Sequence, residues 1–145
     1  GGTCLHRGCI PTKALLHAGE VADAVRHAGE IGVEAEFRGI DPARVRSYRE
    51  GIVEKKYRGL QSLLKARGIR VVEGEGRLEA GPAVRVGDTV YRGTDVVLAT
   101  GSYSRTLPGL EIGGRILTSD QALQLEEIPD RVIILGGGVI GVEFA

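Results

Sequence analysis

The chain is short of cysteine, carries no net charge and has no long apolar run. Two cysteines in 145 residues are too few for the disulfide framework of a small secreted domain. Nineteen basic side chains balance nineteen acidic ones, which argues against a nucleic-acid platform or a polybasic membrane surface. No apolar stretch reaches the length of a membrane span, and no leader peptide is visible. A cytoplasmic protein with neither nucleic acid nor membrane as partner is therefore expected. His6 and His17 lie near the cysteines but do not complete a zinc-binding pattern, so no metal is expected. There is no internal repeat and no low-complexity segment. The chain starts without Met and stops inside a motif, and the expectation is a stretch truncated at both ends.

Glycine, by contrast, is plentiful: 23 residues, clustered at 1–2, 74–76, 136–138 and 141. Tight turns and close backbone approaches use this residue. Pro11 suits the first turn of a helix, and Leu15, Ala18, Ala22 and Val25 fall on one face of it. Gly29 and Gly32 act as its stop signals. Asp41 as N-cap and Pro42 at the first position start a second helix. Val53, Tyr57, Leu60 and Leu64 give it an apolar stripe, and Gly68 ends it. The texture then turns to strands. Residues 69–74 and 95–101 read as short buried strands. Residues 83–86 and 89–92 flank Gly87-Asp88, a two-residue hairpin signal. Ser119 and Asp120 can cap a short helix, and a final strand leads into a glycine turn. This mixture indicates the α/β class.

The final turn, Gly136-Gly137-Gly138-Val139-Ile140-Gly141, matches GxGxxG. It follows four apolar residues, Val132 to Leu135, and precedes an apolar helix start, which is the context the motif requires. The first Gly makes the turn, the second lets backbone approach a pyrophosphate, and the third lets helix and strand pack closely. A strand with buried Val132–Leu135 is expected, with turn N–H groups facing open space. A glycine-rich turn that binds nothing is the bland alternative.

Cys4 and Cys9 stand within one six-residue window before the Pro11 helix. Such a pair can be a metal half-site, two inert structural cysteines, or a redox disulfide. The positive end of the helix favours a thiolate at Cys9, which suits thiol–disulfide exchange.

The segment GGTCLHRGCIPTKALL resembles the active-site stretch of the flavin-dependent pyridine nucleotide–disulfide oxidoreductases. Within that family its wording is most similar to the dihydrolipoamide dehydrogenase branch. The likeness runs through the chain in order: the cysteine motif, two long helices, Gly74-Glu75-Gly76-Arg77, Ala99-Thr100-Gly101-Ser102, Leu107-Pro108-Gly109, and the glycine fingerprint running into Val142-Glu143. It implies a partial FAD/NAD(P)-binding Rossmann-like fold with two dinucleotide-binding domains. Residues 1–106 would be part of the FAD domain and residues 107–145 the linker and start of the NAD domain.

The resemblance also implies roles. Cys4 would be the interchange thiol and Cys9 the thiol against the flavin, with Cα atoms within about 7 Å of each other. Lys13 would reach the flavin and pair with Glu143, within about 4 Å. Gly1, Gly2, Thr3, Gly76, Ala99, Thr100, Gly101 and Ser102 would line FAD. Gly136, Gly137, Gly138, Val139, Ile140 and Gly141 would hold NAD, with Gly141 in place of Ala favouring NAD over NADP. The family's first glycine fingerprint and its catalytic His–Glu pair would lie outside this stretch. His6, His17 and His27 do not replace that base, so little turnover is expected from the stretch alone. The implied activity is oxidation of the dihydrolipoyl group of a 2-oxoacid dehydrogenase or glycine cleavage complex by a homodimeric parent. An NADPH-dependent disulfide or mercuric reductase, or a non-catalytic remnant of the fold, are the alternatives.

Overall fold

The computed structural model describes residues 2–145, so Gly1, expected beside the flavin, lies outside the described residues. The elements in order are α1 (Thr3–Arg7), α2 (Cys9–His27), a 3-10 turn (Ala28–Ile31), α3 (Pro42–Ala66), strands β1 (Gly76–Glu79), β2 (Ala83–Val86) and β3 (Thr89–Arg92), and helices α4 (Ser119–Ala122) and α5 (Val139–Phe144). They form two compact units, one of residues 2–57 with Ser102–Ala145 and one of Arg58–Gly101. No described helix is long and apolar enough to cross a membrane.

In the first unit α2 turns the anticipated face inward. Ala22 is buried and Leu15, Ala18 and Val25 are half-buried, while Lys13, His17 and Glu20 are exposed. Gly32 ends the following turn at φ 82°, its N–H donating to the carbonyls of Ala28 and Gly29. That left-handed geometry is where glycine costs least. At the start of α3, Oδ1 of Asp41 accepts from the N–H groups of Ala43 and Arg44 at 3.0 and 3.1 Å, as an N-cap should. The stripe Val53, Tyr57, Leu60 and Leu64 is half-buried along its length, and α3 ends before Gly68 at φ 64°.

Helix α4 corrects the expected cap. Thr118, not Ser119 or Asp120, is its N-cap, and it forms a capping box with Gln121. The side chain of Gln121 reaches back to the Thr118 N–H at 2.9 Å, satisfying the donors of both ends of the box. Arg49 of α3 is only 4% exposed. It donates to the carbonyl of Leu123, just past α4, and to Glu50 at 3.0 Å. Leu123 itself is buried. One buried guanidinium thus ties α3 to the exit of α4.

The second unit holds an antiparallel sheet in the order β1-β2-β3. Val86 pairs with Thr89 across Gly87-Asp88, and Gly87 has φ 57°, the geometry a two-residue hairpin needs. Strand β1, which sequence reading did not separate from the preceding segment, pairs with β2 from Gly76↔Val86 to Glu79↔Ala83.

Three expected buried strands are not formed. Residues 69–74, 95–101 and 132–135 run as irregular chain, with Val97 86% and Ile133 96% exposed. Their composition is that of central parallel strands, whose polar backbone is satisfied only by neighbours on both sides. No described strand lies alongside them. Gly101 nonetheless keeps the left-handed turn that ends the second of these segments, at φ 94°.

Candidate functional site

Both cysteines sit on helices. Cys4 is in the five-residue α1 and Cys9 is the first residue of α2. Only Gly8 separates the two helices, and a Cβ there would stand 3.1 Å from the carbonyl oxygen of Thr3 and 3.3 Å from Cα of Cys4. Glycine therefore lets α1 fold back against α2, an irregular junction across which the Cys9 side chain acts on the Cys4 thiol. The N–H of Thr12 donates to the Gly8 carbonyl at 3.1 Å, and its hydroxyl donates to the same oxygen at 2.8 Å. Thr12 is buried, so the junction is held from inside. Gly8 was not among the anticipated site residues; its position between two cysteines was the available signal.

The thiols are free and exposed. A hydrogen bond to the Cys9 side chain raises the pKa of the Cys4 thiol, helped by desolvation and by repulsion from Cys9, while the Cys9 backbone and Lys13 pull it down. Cys9 and the lysine one turn into α2 thus act on the Cys4 thiol in opposite directions, Cys9 mainly raising its pKa and Lys13 lowering it.

Lys13 Nζ lies 2.9 Å from Oε1 of Glu143. Hydrogen bonding to Glu143 and then its charge hold the Lys13 ammonium above its ordinary pKa. The lysine side chain is 62% exposed and that of Glu143 27%, so the partial desolvation anticipated for both falls mainly on the carboxylate. Glu143 stands in α5, directly after the glycine turn.

Thr3 meets Ser102 across 99 residues: its hydroxyl oxygen accepts from the Ser102 N–H at 3.3 Å and lies 3.4 Å from the Ser102 carbonyl. Gly2, at φ 133°, precedes α1. Gly76, Ala99, Thr100 and Gly101 belong to the second unit. There Gly76 is in β1, where a Cβ would press on Val84 at 3.3 Å.

The glycine turn divides its labour by position. Gly136 adopts φ 118°, closed to side-chain-bearing residues. Around Gly136, Gly137 and Gly138 a Cβ would meet nothing within 4 Å, whereas at Gly141 it would stand 2.0 Å from the Gly136 carbonyl oxygen. The first three glycines leave open space, and the last permits α5 to press on the chain before it. Val139 and Ile140, between them, are exposed.

A family model for pyridine nucleotide-disulphide oxidoreductases matches residues 1–145. The chain is 44% identical over 160 residues to a dihydrolipoyl dehydrogenase of Bacillus subtilis, covering 100% of this chain and 34% of the relative. It is 38% identical over 148 residues to one from Chlamydia pneumoniae, covering 100% and 32%. Against the Geobacillus stearothermophilus protein of the same name it is 39% identical over 147 residues, covering 99% and 31%. The chain thus spans about a third of the length of the curated relatives it matches.

Proposed function

Because the chain belongs to the pyridine nucleotide-disulphide oxidoreductase family, we propose that the protein oxidises dihydrolipoyl groups through Cys4 and Cys9, with FAD as bound carrier and NAD+ as final acceptor. The observation that carries this reading is the placement of Cys4 on α1 and Cys9 at the start of α2, separated only by the Gly8 junction, with the Glu143-paired Lys13 one turn further along α2. The names of the relatives support the choice of substrate over another disulfide or a metal ion.

The residues suit both cofactors. The hydroxyls of Thr3 and Ser102 and the ammonium of Lys13 are donors for an anionic, hydroxyl-rich group. The empty space about Gly136, Gly137 and Gly138 leaves backbone N–H groups approachable by a pyrophosphate. FAD, when bound, supplies the relay of two electrons from the dithiol to NAD+.

The thiol chemistry is the protein's own. In the oxidised pair, one thiolate of the dihydrolipoyl group attacks Sγ of Cys4, the Cys4–Cys9 bond breaks, and Cys9 leaves as thiolate. The second substrate thiolate then attacks the substrate sulfur bound to Cys4, closing the lipoyl disulfide and releasing Cys4 with the electron pair. Lys13 stabilises the thiolates formed, and Glu143 holds the ammonium in place.

The same reading makes the parent a cytoplasmic homodimer serving a 2-oxoacid dehydrogenase or glycine cleavage complex. Residues 1–106 would belong to its FAD domain and residues 107–145 to the linker and NAD domain. The test is NADH formation from dihydrolipoamide and NAD+ by the parent protein and by its Cys4→Ser and Cys9→Ser variants. Loss of turnover in both variants is expected. Turnover retained in either would remove the redox pair from the mechanism. The 145-residue stretch alone is expected to exchange thiols with dihydrolipoamide without forming NADH.

A further inference from the structure

Helix α1 carries Cys4, yet at five residues it is far too short to persist by local hydrogen bonding alone. Besides its packing on α2, it is held by side chains that reach distant parts of the first unit. Thr3 meets Ser102. The His6 ring stands edge-on to Tyr57 of α3, with centroids 5.1 Å apart and planes at 63°. Arg7 pairs with Asp120 of α4 at 3.6 Å. Of these, the aromatic contact is the one that sits on a long element: α3 runs 25 residues and is anchored by the buried Arg49. The Arg7 side chain is 58% exposed, and ion pairs that open to water hold little.

We propose that His6 is a positioning residue for the redox pair: its edge-on contact with Tyr57 fixes α1, and so fixes Cys4 opposite Cys9. This rests on the reading of Cys4 and Cys9 as that pair. His6 touches no reacting atom; it acts through the helix it shares with Cys4. Without the contact α1 swings more freely, and the effective concentration of one thiol at the other falls. The Cys4–Cys9 disulfide then becomes easier to reduce. The equilibrium is balanced: disulfide plus two glutathione thiols gives two cysteine thiols plus glutathione disulfide.

The experiment equilibrates the full-length protein in glutathione redox buffers and counts Cys4 and Cys9 thiols by mass spectrometry after alkylation. His6→Ala is expected to shift the equilibrium toward the dithiol by about threefold to tenfold, the range an edge-on ring pair supplies. His6→Leu, which keeps apolar bulk without a ring edge, is expected to shift it the same way. His6→Phe restores the wild-type equilibrium to within about twofold. Tyr57→Ala matches His6→Ala, and the double variant adds nothing further, since both remove one contact. An equilibrium unchanged in His6→Leu and His6→Ala, with only the melting temperature lowered, would make His6 structural and overturn the proposal. So would independent, additive shifts at the two positions. If the wild type forms no Cys4–Cys9 disulfide in any buffer, the redox reading itself fails and this inference falls with it; a wild-type disulfide insensitive to His6 overturns the inference alone.

Discussion

Lys13 and Glu143 are 130 residues apart in the chain, and Nζ of one stands 2.9 Å from Oε1 of the other. The contact joins the helix that begins at Cys9 to the helix that begins at the glycine turn, two segments of the first unit. Its pH behaviour follows from the raised Lys13 pKa. A raised pKa means the folded state holds the proton more tightly, so the stabilisation is full below the unfolded lysine pKa and fades as pH rises through the folded one. In Glu143→Gln the Lys13 resonance is expected to titrate at lower pH by NMR, and the alkaline loss of stability traceable to this pair disappears. An unchanged Lys13 titration would show that the carboxylate is not the cause.

The same lysine separates a functional from a structural role. In the full-length protein, Lys13→Ala is expected to slow NADH formation from dihydrolipoamide by at least about tenfold, as loss of one charge-stabilising donor does. The melting temperature should move little, because the lysine is largely exposed. A marked loss of stability with the rate intact would make Lys13 a structural residue.

Cys4 offers a second titration. Hydrogen bonding to Cys9 is the main cause of its raised pKa, with desolvation and repulsion from Cys9 adding to it. In the reduced protein Cys9→Ala removes the side-chain bond and the repulsion, so the Cys4 pKa is expected to fall. The thiolate fraction near neutral pH then rises, and alkylation of Cys4 by iodoacetamide quickens a few-fold (about two to five). Lys13→Met acts in the opposite direction, since the lysine charge lowers the Cys4 pKa. Rates that follow neither sign would contradict the assigned causes.

The fingerprint glycines are expected to respond differently to the same methyl group. Gly141→Ala drives a Cβ into the Gly136 carbonyl and should cost about 1–3 kcal/mol, as overpacking does, along with NADH affinity. Gly138→Ala meets open space, and φ there is −76°, so stability should hold. Any affinity it loses reports how closely the cofactor approaches. Denaturant titration and NADH fluorescence measure the two quantities separately. Equal stability of both variants would contradict the division of roles.

Arg49→Ala is expected to destabilise by about 1–3 kcal/mol, because the buried Leu123 carbonyl loses its donor. Arg46→Ala removes a pair whose Glu126 side chain is 82% exposed and should cost less than about 1 kcal/mol. Chemical denaturation of the two variants gives the comparison, and a larger loss in Arg46→Ala would refute the anchoring role of Arg49.

The long helices were legible because their signals are local. Asp41-Pro42 starts α3 and Gly68 ends it, and the stripes at 15, 18, 22, 25 and at 53, 57, 60, 64 select the inward faces. The hairpin was legible for the same reason, through Gly87-Asp88. What escaped was set by distant partners. The apolar residues 132–135 have strand composition, but composition does not supply the neighbouring strand. Helix α1 has no capping side chain and exists through contacts with Tyr57, Ser102 and Asp120, so no window of sequence announces it. Arg49 reads as a solvated helix arginine, the usual fate of that residue, until Leu123 is placed above it. At the site, resemblance to a family joined Lys13 to Glu143, since no local pattern reaches across that distance, whereas the crowding at Gly8 emerged only in three dimensions.

The run Val132-Ile133-Ile134-Leu135, exposed at all but the half-buried Ile134, has a consequence for handling. It combines β-branched bulk with no charge, it pairs with no strand among the described residues, and Ile133 is almost wholly open to water. Such a segment is a template on which other copies add as strands. The 145-residue protein will therefore lose colloidal stability as it is concentrated, well before it unfolds. A single Ile133→Lys substitution, placing a charge at the centre of the template, is the change that would extend its working range in solution.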